Sequence, residues 1–419
     1  MNFIPSLPKL ASVIAVGYTI AWASFVVINA ANMPLMDDYD AILQFLNKFT
    51  DANAWDRAQL LMATHNEHRI ATTRGTALAG YLLSGTANFT WLILFGTALW
   101  IWLAWFFIRN TGRNARHELT IPFAALFLNL RYATLVNWAM AGLGHYMQAV
   151  FGFLSIACLC TADNQRRPWK TWIGYTMVYL SVFTSGAGIL VVPVIGLYCL
   201  LTCHYRRLAI VAAHTAFILV LTTAVFTPDS RSTTNLTLAL SSPLVVAEFW
   251  LNFCGNLLPA RLPCQILGLA SIALMVYGVQ NRFYQRYPEY FYTAVLQILT
   301  GLAAAVARFQ FGAEYGLESK YSVYAIVLWA ALLTMLWRHL RDPATGATRG
   351  AQQVALIATY TLCLIVCGCS WAYNRVSIDN LARVHWIVHP NVAHARDILQ
   401  TSSAKGIYDG SRYVSNATQ

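Results

Sequence analysis

The chain has 419 residues, 58% of them apolar and 11% charged, with a mean hydropathy of +0.50, whereas an ordinary soluble domain is about a quarter charged. That composition excludes a water-soluble globule, and 14 Trp, 21 Tyr and 21 Phe exclude a disordered chain. The 28 Lys and Arg against 17 Asp and Glu give a net charge of +11, which in a membrane protein reports loop charges that set orientation and not nucleic-acid binding.

Apolar stretches able to cross about 30 Å of hydrocarbon as helix fall at roughly 10–31, 86–108, 119–136, 143–161, 171–185, 187–203, 208–226, 263–280, 291–307, 321–337 and 353–372. The expected fold is therefore an all-α polytopic membrane protein with about 11 transmembrane helices. Arg131 interrupts the third stretch, and only Thr184-Ser185-Gly186-Ala187-Gly188 parts the fifth from the sixth, a pair that one broken helix would also explain. The first stretch lacks a small-x-small cleavage site and its apolar run is too long for a signal peptide, so it reads as a retained anchor.

Alternate short connectors carry Arg109/Arg113/Arg116, Arg166/Arg167/Lys170, Arg206/Arg207, Arg282/Arg286 and Arg338/Arg341/Arg349. Such a basic set marks the cytoplasmic side. The N-terminus is then cytoplasmic, and the bundle 1–372 presents its long first loop, 32–85, outside together with the tail 373–419. Most of the nine Cys lie inside spans as small packing residues; Cys254 and Cys264 border an outer loop, where an oxidising compartment would permit a disulfide.

The acids are distributed unevenly. Inner connectors hold Glu118, Asp163, Glu289 and Asp342, and the other thirteen of the seventeen lie on the outer face. The first outer loop opens with Asp37-Asp38-Tyr39-Asp40 and continues with Ile42, Leu43, Phe45, Leu46 and Phe49, a helical spacing that predicts amphipathic helices capping the bundle at the interface. Clustered carboxylates raise the pKa of at least one member, which suits a general base for an alcohol; solvation of the loop, with Asp40 at a helix cap, is the bland alternative. Next comes His65-Asn66-Glu67-His68-Arg69. Five consecutive hydrogen-bonding residues are costly beside a membrane unless something polar is held there. Their spacing fits neither zinc-protease helix pattern, whereas Glu67 could accept sugar hydroxyls and Arg69 could fork onto an oxyanion.

The segment joining the ninth and tenth stretches contains Arg308, Tyr315, Glu318, Lys320, Tyr321 and Tyr324. Arg308 and Lys320 stand at two helix ends, where both would reach a lipid-linked phosphate at headgroup depth. Snorkelling explains bases at helix ends but not the acid and tyrosines beside them. Arg131-Tyr132 with Asn137-Trp138 could line the same cavity, or Arg131 could fix helix packing. His385, His389 and His394 in the tail lack Cys or acid partners in ligand spacing and read as a solvated helix.

A first span followed by an outer acidic doublet, then Asn66-Glu67-His68-Arg69, a cluster of later spans and a basic-Tyr step, Lys320-Tyr321, resembles the bacterial GT-C superfamily of integral-membrane glycosyltransferases. It is most similar to those that decorate O-antigen or pilin. The resemblance implies transfer of one sugar from a polyprenyl-phosphate carrier, at the periplasmic face of the inner membrane, with inversion at the anomeric carbon. It implies Asp37 or Asp38 as the general base; the residue chemistry itself suggests Arg308 and Lys320 against the donor phosphate, and Asp40, His65, Glu67, His68, Arg69, Arg131, Tyr315, Glu318 and Tyr321 as substrate contacts. Members often have Arg-Tyr where this chain has Lys320-Tyr321, a departure that keeps the charge but gives up the bidentate fork. A small flippase and a carrier-charging glycosyltransferase would be natural partners of such an enzyme. Asp38-Tyr39-Asp40 has the Asp-x-Asp form that holds a diphosphate through a divalent cation in nucleotide-sugar enzymes, but a lipid monophosphate donor needs no obligatory cofactor or metal. The main rival is a transporter or flippase for a lipid-linked or anionic substrate, against which stand the absence of an inverted hydropathy repeat and the gathering of polar residues on one face.

Overall fold

The computed structural model describes residues 7–66, 68–110, 116–161, 168–225, 236–383 and 391–409. Eight of its helices are long and apolar enough to cross a membrane: Leu10–Asn29, Phe89–Asn110, Ala139–Leu159, Tyr205–Thr223, Arg261–Gln280, Pro288–Phe311, Ser319–Arg341 and Arg349–Arg375. The chain is an all-α, multi-pass membrane protein. Each of the eight falls on an expected stretch. The other three stretches, 119–136, 171–185 and 187–203, hold the shorter helices Arg116–Phe127, Pro168–Val182 and Val191–Leu201. Pro243–Cys254, placed by the sequence in an outer loop, is a further apolar helix of 12 residues.

The third stretch breaks for a visible reason. After Phe127 the backbone leaves the helix until a short 3-10 turn, Ala133–Val136. Irregular backbone is tolerated at membrane depth only where protein satisfies its polar groups, and neighbouring helices supply the partners. Trp100 Nε1 donates to the Phe127 carbonyl at 2.9 Å, Tyr18 Oη to that of Leu128 at 2.5 Å and Trp22 Nε1 to that of Asn129 at 3.2 Å. Ser370 Oγ accepts from the Leu130 N–H at 3.1 Å.

Helix Ser322–Arg341 is the most enclosed, while Leu10–Asn29 and Tyr205–Thr223 are peripheral and turn residues such as Ile20 and Phe217 outward. Lipid tails are as apolar as the core, so packing and interhelical hydrogen bonds, more than hydrophobic transfer, hold the helices together. At the bundle's centre Trp100 stacks on Tyr146 at 5.4 Å and meets Tyr132 edge-on at 5.6 Å. Helices Pro243–Cys254 and Arg261–Gln280 touch backbone to backbone: a Cβ on Gly268 would fall 2.3 Å from the Leu251 carbonyl oxygen. Cys254 and Cys264 are both buried free thiols, so the disulfide that their position would permit is not formed.

The loop between the first two spans is a folded cap. A π-helical turn Tyr39–Gln44 runs into helices Phe45–Asp51 and Ala54–Met62, then a two-stranded hairpin and helix Ala71–Ser84. Ile42, Leu43 and Leu46 are fully enclosed by protein, so the expected apolar face packs inward and does not lie against lipid. The tail closes over it. Helix Val392–Ala404 sets His394 Nε2 2.8 Å from Asp40, Lys405 pairs with Asp51, and the Tyr408 hydroxyl donates to the Asn32 carbonyl at 2.8 Å. The first loop and the tail therefore share one end of the bundle. At the other end Arg338 pairs with Glu289 at 3.0 Å and Arg341 pairs with Glu118.

Candidate functional site

Thr64–His65 and His68–Arg69 pair as antiparallel strands, with Thr64 facing Arg69 and His65 facing His68. Asn66 takes a positive φ of 52°, the conformation that a two-residue hairpin turn demands and that Asn tolerates. The pairing puts both histidines on the wall of a cavity of about 430 Å³, lined also by Asp37, Trp138, Arg308, Tyr315, Glu318, Lys320 and Tyr321. Residues of the first outer loop and of the 308–321 segment thus meet in one place. Glu67 lies outside the described residues.

The acidic doublet divides. Asp37 is 40% exposed, lines the cavity and stands 3.6 Å from His65 Nε2, a buried nitrogen that makes no hydrogen bond. Asp38 is fully buried, and its oxygens accept from the N–H groups of Leu35 at 3.0 Å, Met140 at 2.7 Å and Ala139 at 3.3 Å. It caps helix Ala139–Leu159 across a hundred residues of sequence and does not line the cavity. Burial pushes the Asp38 carboxyl up to about 7, against the pull of those three N–H groups and with a smaller push from Asp37.

The cations are held differently. Lys320 Nζ lies 5.3 to 5.7 Å from the ring centres of Tyr315, Tyr321 and Trp138 and donates to the Tyr315 hydroxyl at 3.2 Å. No carboxylate among the described residues lies within ion-pair distance of it. An aromatic cage stabilises an ammonium without neutralising it, so the charge stays available to an anion. Arg308, at the end of helix Pro288–Arg308, stacks on Phe311 and lines both this cavity and a neighbouring one of about 380 Å³. That neighbour is walled by Ile189, Leu190, Phe253 and the alanines at 303, 304 and 307. Burial, then the charges of His65 and Lys320, pull the His68 imidazole down to about 4, with Asp37 pulling the other way.

A third cavity of about 260 Å³ lies on the far side of Asp37 and His65, which belong to both walls. Its lining is polar: Asp40, Gln44, Lys48, Thr64, Asn66 and Arg74.

Arg69 and Arg131, grouped with the site by sequence, sit behind it. Arg69 donates to the carbonyls of Met62 at 2.7 Å and of Thr222, and Arg131 to that of Leu317 at 2.6 Å; neither lines the cavities. Two guanidiniums thus tie the cap and the 313–321 loop to the bundle. His145 lines the site unannounced by the sequence reading, its Nδ1 2.9 Å from the Tyr324 hydroxyl. An ionisable residue inside an apolar span was the signal for it. Trp138 and Ser185, minor readings in sequence, also line the cavity.

Compared with known proteins, the chain matches no family model, no curated protein and no solved structure.

Proposed function

We propose that the chain is a GT-C-type glycosyltransferase that crosses the bacterial inner membrane about eleven times, with its active face in the periplasm. It transfers one sugar from a polyprenyl-phosphate donor to an acceptor glycan, such as O-antigen, or to a pilin protein. The observation that carries this reading is the position of Asp37 on a wall shared by two unlike cavities. One side offers the caged Lys320 and Arg308, with an apolar extension; the other is polar. A lipid-phosphate sugar fits the first, its phosphate on the cations and its chain in the apolar extension, and an acceptor hydroxyl fits the second.

In this reading the Asp37 carboxylate takes the proton of the acceptor hydroxyl while the oxygen bonds to the anomeric carbon and the bond from that carbon to the phosphate oxygen breaks. Attack from the face opposite the phosphate inverts the anomeric centre. The departing phosphate gains charge beside Lys320 and Arg308, which stabilise it electrostatically where another enzyme would use a metal. Asp37 is the base in this scheme, and Asp38 holds the loop that presents it.

The test is sugar transfer by the purified protein in nanodiscs, offered polyprenyl-phosphate sugars with lipopolysaccharide or pilin, with EDTA present. Transfer that survives EDTA and is lost in Asp37→Asn supports the proposal. Substrate-dependent movement across a liposome without turnover would replace it with a transporter.

A further inference from the structure

The end of the bundle opposite the candidate site has a cavity of its own, of about 520 Å³. Its rim carries His204, Arg206 and Arg207, and its inner wall is apolar, with Leu159, Ile195 and Val211. Helix Tyr205–Val220 begins at this rim and continues through a π turn, Leu221–Val225. Seventeen residues on, the Thr222 carbonyl accepts from Arg69 beneath the outer cap, so the two cavities stand roughly 25 Å apart along the helix.

Three observations make this rim a place for an anion. Arg207 Nη1 is buried without a hydrogen-bond partner, a costly arrangement for a charged donor unless a ligand completes it. Neither Arg206 nor Arg207 pairs with a carboxylate among the described residues, and Glu289 and Glu118 are engaged by Arg338 and Arg341. The first turn of helix Tyr205–Val220 has no side-chain cap: His204 turns its Nδ1 to Thr202 Oγ1 at 2.7 Å instead. Both arginines belong to that first turn, where the N–H groups and the positive end of the helix dipole also lie.

We propose that this cavity binds the phosphate of an anionic phospholipid. The phosphate lies between Arg206, Arg207 and the first-turn N–H groups, and an acyl chain lies along Ile195 and Val211. The site is separate from the candidate active site and does not depend on the reaction proposed there.

The test is native mass spectrometry of the full chain in detergent, titrated with phosphatidylglycerol, phosphatidylcholine or inorganic phosphate. Phosphatidylglycerol should be retained over phosphatidylcholine, and Arg207→Gln should lower its retention by about tenfold, as expected for losing a charge-assisted hydrogen bond. Val211→Phe, which fills the apolar wall and leaves both arginines, should lower it as well, which covers the case in which Arg207→Gln fails to fold. Lys320→Gln, at the other cavity, should leave it unchanged. Phosphate binding that is lost in Arg207→Gln, without lipid retention, would keep the anion site and assign it to a free phosphate ligand. Equal retention of the two lipids, or undiminished retention in both Arg207→Gln and Val211→Phe, overturns the proposal.

Discussion

The two ends of this bundle handle charge in opposite ways. At the capped end, Asp37, Glu318, Arg308 and Lys320 share one cavity, and the lysine is stabilised by aromatic rings and not by a counter-ion. At the other end Glu289 and Glu118 pair with Arg338 and Arg341, and among the described residues neither Arg206 nor Arg207 pairs with a carboxylate. A cavity holding both signs can move a proton and steady a leaving anion in the same step. A cavity with one sign can only hold a counter-charge. On the proposed reading, the first end carries chemistry and the second carries binding.

The sharpest way to break that contrast is Asp37→Asn, which keeps shape and removes the proposed base. Sugar transfer should fall by about 10²- to 10⁴-fold, the range that general-base catalysis contributes, while thermal stability stays near that of the parent. Transfer within twofold of the parent would remove Asp37 from the chemistry. Next in size is Lys320→Gln, which should lower kcat by about 10²-fold if the ammonium acts on charge that develops in the transition state. A change confined to KM would show that it serves donor binding alone.

The neighbouring aspartate should respond the other way round. Asp38→Asn replaces a carboxylate that accepts from three backbone N–H groups. An amide can offer its oxygen on one side only and turns donors toward the rest. Unfolding measured in detergent should register a loss of about 1–3 kcal/mol, the cost of orphaned buried donors. Equal stability in the Asp37→Asn and Asp38→Asn variants would erase the distinction between them.

That distinction was not legible in the sequence. Asp37 and Asp38 are consecutive acids after a span, and what separates them is a helix N-terminus a hundred residues later. Arg69 was read as a fork for an oxyanion, and Arg131 either as a cavity wall or as a packing residue; in the fold both donate to carbonyls of distant segments. Long spans were legible because about twenty apolar residues leave no other structure open in lipid. Pro243–Cys254, with 12 residues, is too short for that rule, and the break after Phe127 depends on Tyr18, Trp22 and Ser370, which no local pattern links to it. Clusters close in sequence, such as His65 with His68 and Tyr315 with Lys320 and Tyr321, were read together because a turn had to bring them together.

The most specific effect is in pH dependence. The Asp38 carboxyl is raised to about 7 from a free value near 3.8, so between those values the folded chain holds more proton than the unfolded one. Its contribution to stability is full at low pH and is lost as pH rises. The His68 imidazole is lowered to about 4 from 6.5, so between those values the folded chain holds less proton. Its contribution is present above pH 6.5 and is lost as pH falls. The two slopes oppose each other over the same window, and each should emerge when the other is removed. Relative to the parent, Asp38→Asn should be more stable at pH 6.5 than at pH 4.5, and His68→Gln the reverse. Melting temperatures of the three proteins at the two pH values decide it: shifts of the same sign in both variants would mean that Asp38 and His68 do not occupy the environments described for them.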